Sequence, residues 1–165
     1  MTEELCRQLR EWAEAYHRAD FIANDPVQFP HRYVRQEDIE IMGLLTAVLS
    51  FGNRRMILRK VDELDVLMGH APLQYVLSRR WENDFSRENQ RSFYRMVSYA
   101  AFRTYFEKLY AVYAENRTLE DALLAFQGNP MHKLCAFLGV SDRSPQKKLN
   151  MFLRWMIRRD SAGDF

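Results

Sequence analysis

The sequence predicts an all-α chain, a compact multi-helix orthogonal array, and three observations carry that expectation. Apolar residues recur at helical spacing in nearly every segment. Only 6 glycines and 5 prolines punctuate 165 residues, too few for the turns of a many-stranded β protein. No segment survives inspection as a strand, and no internal repeat or low-complexity stretch interrupts the pattern. Hydrophobic residues make up 47% and charged residues 28%, far from a disordered composition. The length suffices for one domain, residues 1–165, with a full core, and 13% aromatic residues predict a core rich in rings.

The elements follow in order. Leu5, Leu9, Trp12, Ala13 and Tyr16 fall at i, i+4, i+7, i+8 and i+11, one face of a first helix. "NDPVQFPHRY" (24–33) holds two prolines and reads as an ordered loop or extended arm. "EDIEIMGLLTAVLSFGN" (37–53) is apolar on all sides from Ile41 to Leu49. Its length and its Gly, Ala, Met and Leu content predict a buried central helix rather than a strand. Gly43 then allows a neighbour to approach closely.

"FGN" (51–53) is a short break, and Asn53 is the expected N-cap of the next helix. Ile57, Val61, Leu64 and Met68 mark that helix's buried stripe, with "DELD" (62–65) on its polar side as solvated carboxylates. Gly69 is its C′ residue, and Pro72 opens the short helix "PLQYVLS". Trp81 to Phe85 reads as a loop. Ser86 caps a long helix to about Asn116, with Phe93, Val97, Phe102, Tyr105, Phe106, Leu109 and Tyr113 on its apolar face. "TLED" (118–121) resembles a capping box, starting a helix that ends at Gly128. "NPMHKLCAFLG" (129–139) is another short helix, closed by Gly139. Ser144 and Pro145 are the N-cap and N1 of a last helix, buried through Leu149, Phe152, Leu153 and Met156.

Several chemistries find no residues here. The sequence holds no Gly-rich phosphate loop, GxSxG or HExxH, so neither nucleotide hydrolysis nor a metal-dependent activity is expected, and no cofactor is implied. Cys6 and Cys135 are far apart, and His17, His31, His70 and His132 are scattered without metal-ligand spacing. Two free thiols in a reducing cytoplasm are the expectation. His132 and Cys135 stand at i, i+3 with no third orienting group, which favours packing over nucleophilic catalysis. The N-terminus lacks the apolar core of a secretory signal, and no apolar run approaches a membrane span.

Two basic features stand out from a net charge of only +2. Arg54 and Arg55 occupy the first turn of a helix, whose free N–H groups and dipole already attract anions. Cations there oppose the dipole, so helix stability does not account for them. Lys147, Lys148, Arg154, Arg158 and Arg159 make the last helix basic, with no acidic residue between Lys147 and Arg159. Arg158 and Arg159 complement the dipole at its C-terminal end. Lys147 and Lys148 stand in its first turn, where side chains and backbone N–H groups can meet phosphate together.

"DIEIMGLLTAVLSFGNRR" and "KKLNMFLRWMIRRD", with "PHRYVRQEDIEI", resemble an uncharacterised bacterial family, a domain of unknown function. That family is distantly similar to helix-hairpin-helix DNA glycosylases of the endonuclease III type, all-α base-excision repair enzymes that flip a damaged base out of the duplex. The resemblance implies part of that fold, with double-stranded DNA as the partner. It places Asn53 at the amide that probes the gap left by the flipped base, with Arg54, Arg55, Lys147 and Arg154 on DNA. Lys148 falls at the lysine that serves bifunctional members as Schiff-base nucleophile. Two departures accompany it. "SDRSPQKK" lacks the Gly-x-Gly turn of the hairpin, and no Asp-x-His segment, the site of the catalytic aspartate, follows the last helix. The chain is accordingly expected to lack a C-terminal portion and to be inactive alone, with a homodimer covering an apolar surface. The competing expectation is a non-enzymatic helical scaffold that docks proteins through its basic helix.

Overall fold

Helix α2, Gln36–Leu49, is the axis of the molecule, with every residue from Glu40 to Leu49 buried. The computed structural model describes residues 2–16, 19–115, 117–141, 143 and 146–157. Before α2 come α1, Glu3–Tyr16, and three short 3-10 turns between Ala19 and Arg32. After it come α3 (Arg54–Leu67), α4 (Pro72–Leu77) and α5 (Trp81–Asp84). A hairpin of β1 (Ser92–Tyr94) and β2 (Val97–Ser98) leads into α6 (Tyr99–Tyr113). Helices α7 (Leu119–Leu124), α8 (Pro130–Leu138) and α9 (Lys147–Ile157) complete the described chain. The fold is all-α apart from that hairpin, and no helix among the described residues is long and apolar enough to cross a membrane.

Local signals set most boundaries. The Asn53 Oδ1 accepts from the N–H groups of Arg55 and Met56. Thr118 and Asp121 form a complete capping box at α7, and Gly139 closes α8 in the left-handed region at φ 67°. Met68 ends α3, with Gly69 at φ 67° just beyond it. Gly43 serves the packing role expected of it. A Cβ there would lie 2.8 Å from the Met156 Cε and 3.3 Å from the Phe152 ring, so α9 crosses α2 at its one glycine. Phe152, Trp155 and Leu149 are the buried residues of α9. The ring-rich core is centred on Phe85, Phe93, Phe102, Phe106 and Trp81, with centroid separations of 4.7 to 6.3 Å. Edge-to-face and tilted pairs predominate, as ring quadrupoles favour.

Five expectations are corrected. The long helix from Ser86 does not form; α6 starts at Tyr99, and Ser98 is its cap, accepting from the Ala101 N–H. Ahead of it, where the sequence predicts no strand, Ser92–Tyr94 and Val97–Ser98 pair as a hairpin; Phe93 and Tyr94 turn inward, and Arg95 adopts φ 52°, a conformation that breaks a helix. Trp81–Asp84 is a one-turn helix rather than a loop, held by the indole N–H donating to the Val76 carbonyl at 2.9 Å. Helix α7 stops at Leu124, four residues before Gly128. Helix α1 forms where the sequence places it, with Leu5, Leu9 and Trp12 exposed, Trp12 by 54%, so its apolar stripe covers no part of the described core. Asp65 of "DELD" is wholly buried rather than solvated, while Asp62 and Glu63 stay exposed. Leu64 and Asp65 both turn toward the core, where the arm 24–33 folds over them. Arg32 bridges Asp65 at 2.8 Å and Asp62 at 2.9 Å, the Tyr33 hydroxyl donates to Asp65, and His70 Nδ1 lies 3.3 Å away. The Ser144–Pro145 cap, Arg158 and Arg159 lie outside the described residues.

Candidate nucleic-acid interface

The turn from α2 to α3 organises the site. The Ser50 hydroxyl donates to the Thr46 carbonyl at 2.8 Å, ending α2, and the Phe51 N–H reaches the Leu49 carbonyl. Gly52 takes φ 99°, open to glycine at little cost, and Asn53 starts α3. Because α9 crosses α2 at Gly43, its first turn comes to lie against this break. Lys148 Nζ sits 3.6 Å from the centroid of the Phe51 ring. Such a contact contributes about 1 kcal/mol at a partly buried site. The Tyr94 ring meets Phe51 edge-on at 5.1 Å, and its hydroxyl donates to the Phe51 carbonyl at 2.9 Å. Arg95 lays its guanidinium over Gly52, so that a Cβ at Gly52 would collide with it.

Four sequence-predicted residues thus gather at one turn. Asn53, Arg54 and Arg55 follow Phe51 directly, and Lys148 reaches it from α9. Arg54 and Arg55 are exposed. Neither they, nor Arg95, Lys147 or Lys148, pairs with a described carboxylate; elsewhere most surface arginines do, as Arg87 and Arg103 do with Glu107. Lys147 and Lys148 line one side of a shallow cavity of about 370 Å³, with Val48, Tyr105, Leu138 and Val140 on the other. Burial in these surroundings lowers the pKa of the Lys148 amine, because a cation loses hydration there. The same burial raises that of the Tyr105 phenol. Arg154 lies apart from this group, exposed on α9 about 9 Å further along the axis from Lys148 at 1.5 Å per residue.

Sequence reasoning missed Phe51, Tyr94 and Arg95. The signal was present in "SFYRMVS" (92–98), aromatic and β-branched residues on either side of a two-residue turn. The other chemistries considered remain structural. The Cys135 Sγ is buried 3.7 Å from the Met131 Sδ, while His132 is exposed and donates its backbone N–H to the Asn129 cap. Among the described residues no group of three His, Cys, Asp or Glu could hold a metal ion.

A family model described as a protein of unknown function, DUF2400, matches residues 25–165. No curated protein and no solved structure matches the chain.

Proposed function

The chain belongs to the DUF2400 family of proteins of unknown function, and we propose that it is a DNA-binding domain of base-excision, DNA-glycosylase-like type. The observation that carries this reading is the meeting of Lys148 with the Phe51–Gly52–Asn53 turn. It brings a cation of α9 against the break from which α3 starts, which supports a shared surface with Arg54 and Arg55. A duplex reaching that surface would meet Arg54 and Arg55 at phosphates, the N–H groups of Arg55 and Met56 being already held by the Asn53 cap. Asn53 precedes them as the cap of α3, where the resemblance to endonuclease III-type enzymes would have it probe a gap. The lowered pKa of Lys148 favours the neutral amine that a nucleophile at a sugar carbon requires.

The test is fluorescence anisotropy with a labelled duplex, intact or carrying one abasic site. Wild-type protein is expected to bind both, and to prefer the abasic duplex. Lys148→Ala should weaken binding by about tenfold, the effect of losing roughly 1.4 kcal/mol. Unchanged affinity in Lys148→Ala, or no binding at low salt, sinks the reading.

A second reading, a protein-docking scaffold, is favoured by the exposed stripe Leu5, Leu9 and Trp12 of α1. A second copy of the chain is its simplest partner. Sedimentation of wild type and Leu9→Ser/Trp12→Ser separates the two; a concentration-dependent dimer lost in the variant supports it, and a monomer in both removes it.

A further inference from the structure

We propose that the tip of the β1–β2 hairpin, Arg95–Met96, is a wedge that enters the base stack of double-stranded DNA at a weakened step, Met96 being the inserted side chain. The inference rests on the DNA-binding reading and adds the part of the surface that deforms the duplex.

Met96 is 87% exposed at a turn of two residues, between the paired Tyr94 and Val97. That position contributes nothing to the core. The hairpin beneath it is rigid, because Phe93 and Tyr94 are buried and the Ser92 hydroxyl donates to the Arg95 carbonyl. The Tyr94 hydroxyl ties the hairpin to the Phe51 carbonyl, and the Arg95 guanidinium lies over Gly52, two residues before Arg54. The tip is therefore held beside the cation-bearing turn. Arg95, Arg54, Arg55 and Lys148, none paired with a described carboxylate, supply cations for the backbone beside an inserted residue.

An unbranched apolar side chain on a stiff support, flanked by cations, is the chemistry of a residue that unstacks a base step while its neighbours grip the backbone. Val34 shows the contrast. It is just as exposed, but its neighbour Arg35 is held by Glu37 at 3.0 Å, so its surroundings offer phosphate no such cation. An anionic membrane also attracts cations beside apolar groups. It requires an apolar face of several residues, and this tip presents one.

The experiment uses a duplex of about two helical turns with 2-aminopurine next to an abasic site, read by fluorescence and anisotropy together. Wild type is expected to raise the 2-aminopurine signal several-fold on binding. Met96→Ala should abolish most of that rise while still binding, Met96→Leu should restore it, and Val34→Ala should leave it unchanged. Binding with an equal rise in Met96→Ala overturns the wedge and leaves DNA binding standing. No binding by wild type overturns both. Binding to phosphatidylserine vesicles that Met96→Ala loses, with no 2-aminopurine response in wild type, overturns the wedge in favour of a lipid surface.

Discussion

At Lys148 burial and charge oppose each other. The Phe51 ring stabilises the ammonium, while loss of hydration lowers its pKa. A rising pH therefore removes its proton before that of an exposed lysine. DNA affinity at fixed salt should begin to fall with rising pH below the ordinary lysine range. Lys148→Arg should flatten that fall, since a guanidinium keeps its charge throughout; an equally steep fall in Lys148→Arg would assign it elsewhere. Asp65 illustrates what a residue's neighbours in sequence conceal. Asn53 was legible as a cap because the N–H groups it accepts from lie two and three residues away. The partners of Asp65, Arg32 and Tyr33, lie more than thirty residues away, so "DELD" read as a solvated face. Removing this carboxylate leaves Arg32 and Tyr33 facing a void. Asp65→Ala should cost about 2–3 kcal/mol in denaturant melts, below the full value for a buried pair because Arg32 is partly exposed. A loss under about 0.5 kcal/mol, typical of a surface site, would contradict the assigned role.

Among elements, the buried run of α2 was readable from Ile41 to Leu49, since a run apolar on every side has few other places to go than the core, but the burial of Glu40, which accepts from the Tyr113 hydroxyl and the Leu119 N–H, was not. The hairpin was not. Its rings fall at spacings that also suit a helix, and only the φ of Arg95 and the cap at Ser98 separate the strands from α6. Helix α1 forms as its sequence predicts. Its periodicity is sound, but periodicity shows which face is apolar, not what covers it, and Leu5, Leu9 and Trp12 stay exposed. The crossing of α9 over α2 is the element contact on which the site depends. Gly43→Val would push branched atoms into Phe152 and Met156, and should cost about 1–3 kcal/mol of stability. It should also weaken DNA binding, by shifting the start of α9 away from Phe51. Native stability and native affinity in Gly43→Val would show that the crossing does not set the geometry.

Over the whole molecule the charge is nearly balanced, +2 on 165 residues, and its distribution carries more information than its sum. Carboxylates pair with many of the described arginines, while Arg54, Arg55, Arg95, Lys147 and Lys148, near the α2–α3 break and the start of α9, pair with no described carboxylate. The sequence showed both halves of this group as separate basic features. Their approach to each other depends on a helix crossing that no local pattern encodes, and Arg95 joined them only through the hairpin. The most direct test of the central claim, that these cations bind duplex DNA through phosphates, is the salt dependence of the dissociation constant for an intact duplex. With four or five phosphates neutralised, the logarithm of the association constant, the reciprocal of Kd, is expected to fall linearly with log salt at a slope of about −4, and Arg54→Ala to reduce the steepness by about one. A slope near zero, or no binding at about 50 mM salt, would contradict the account.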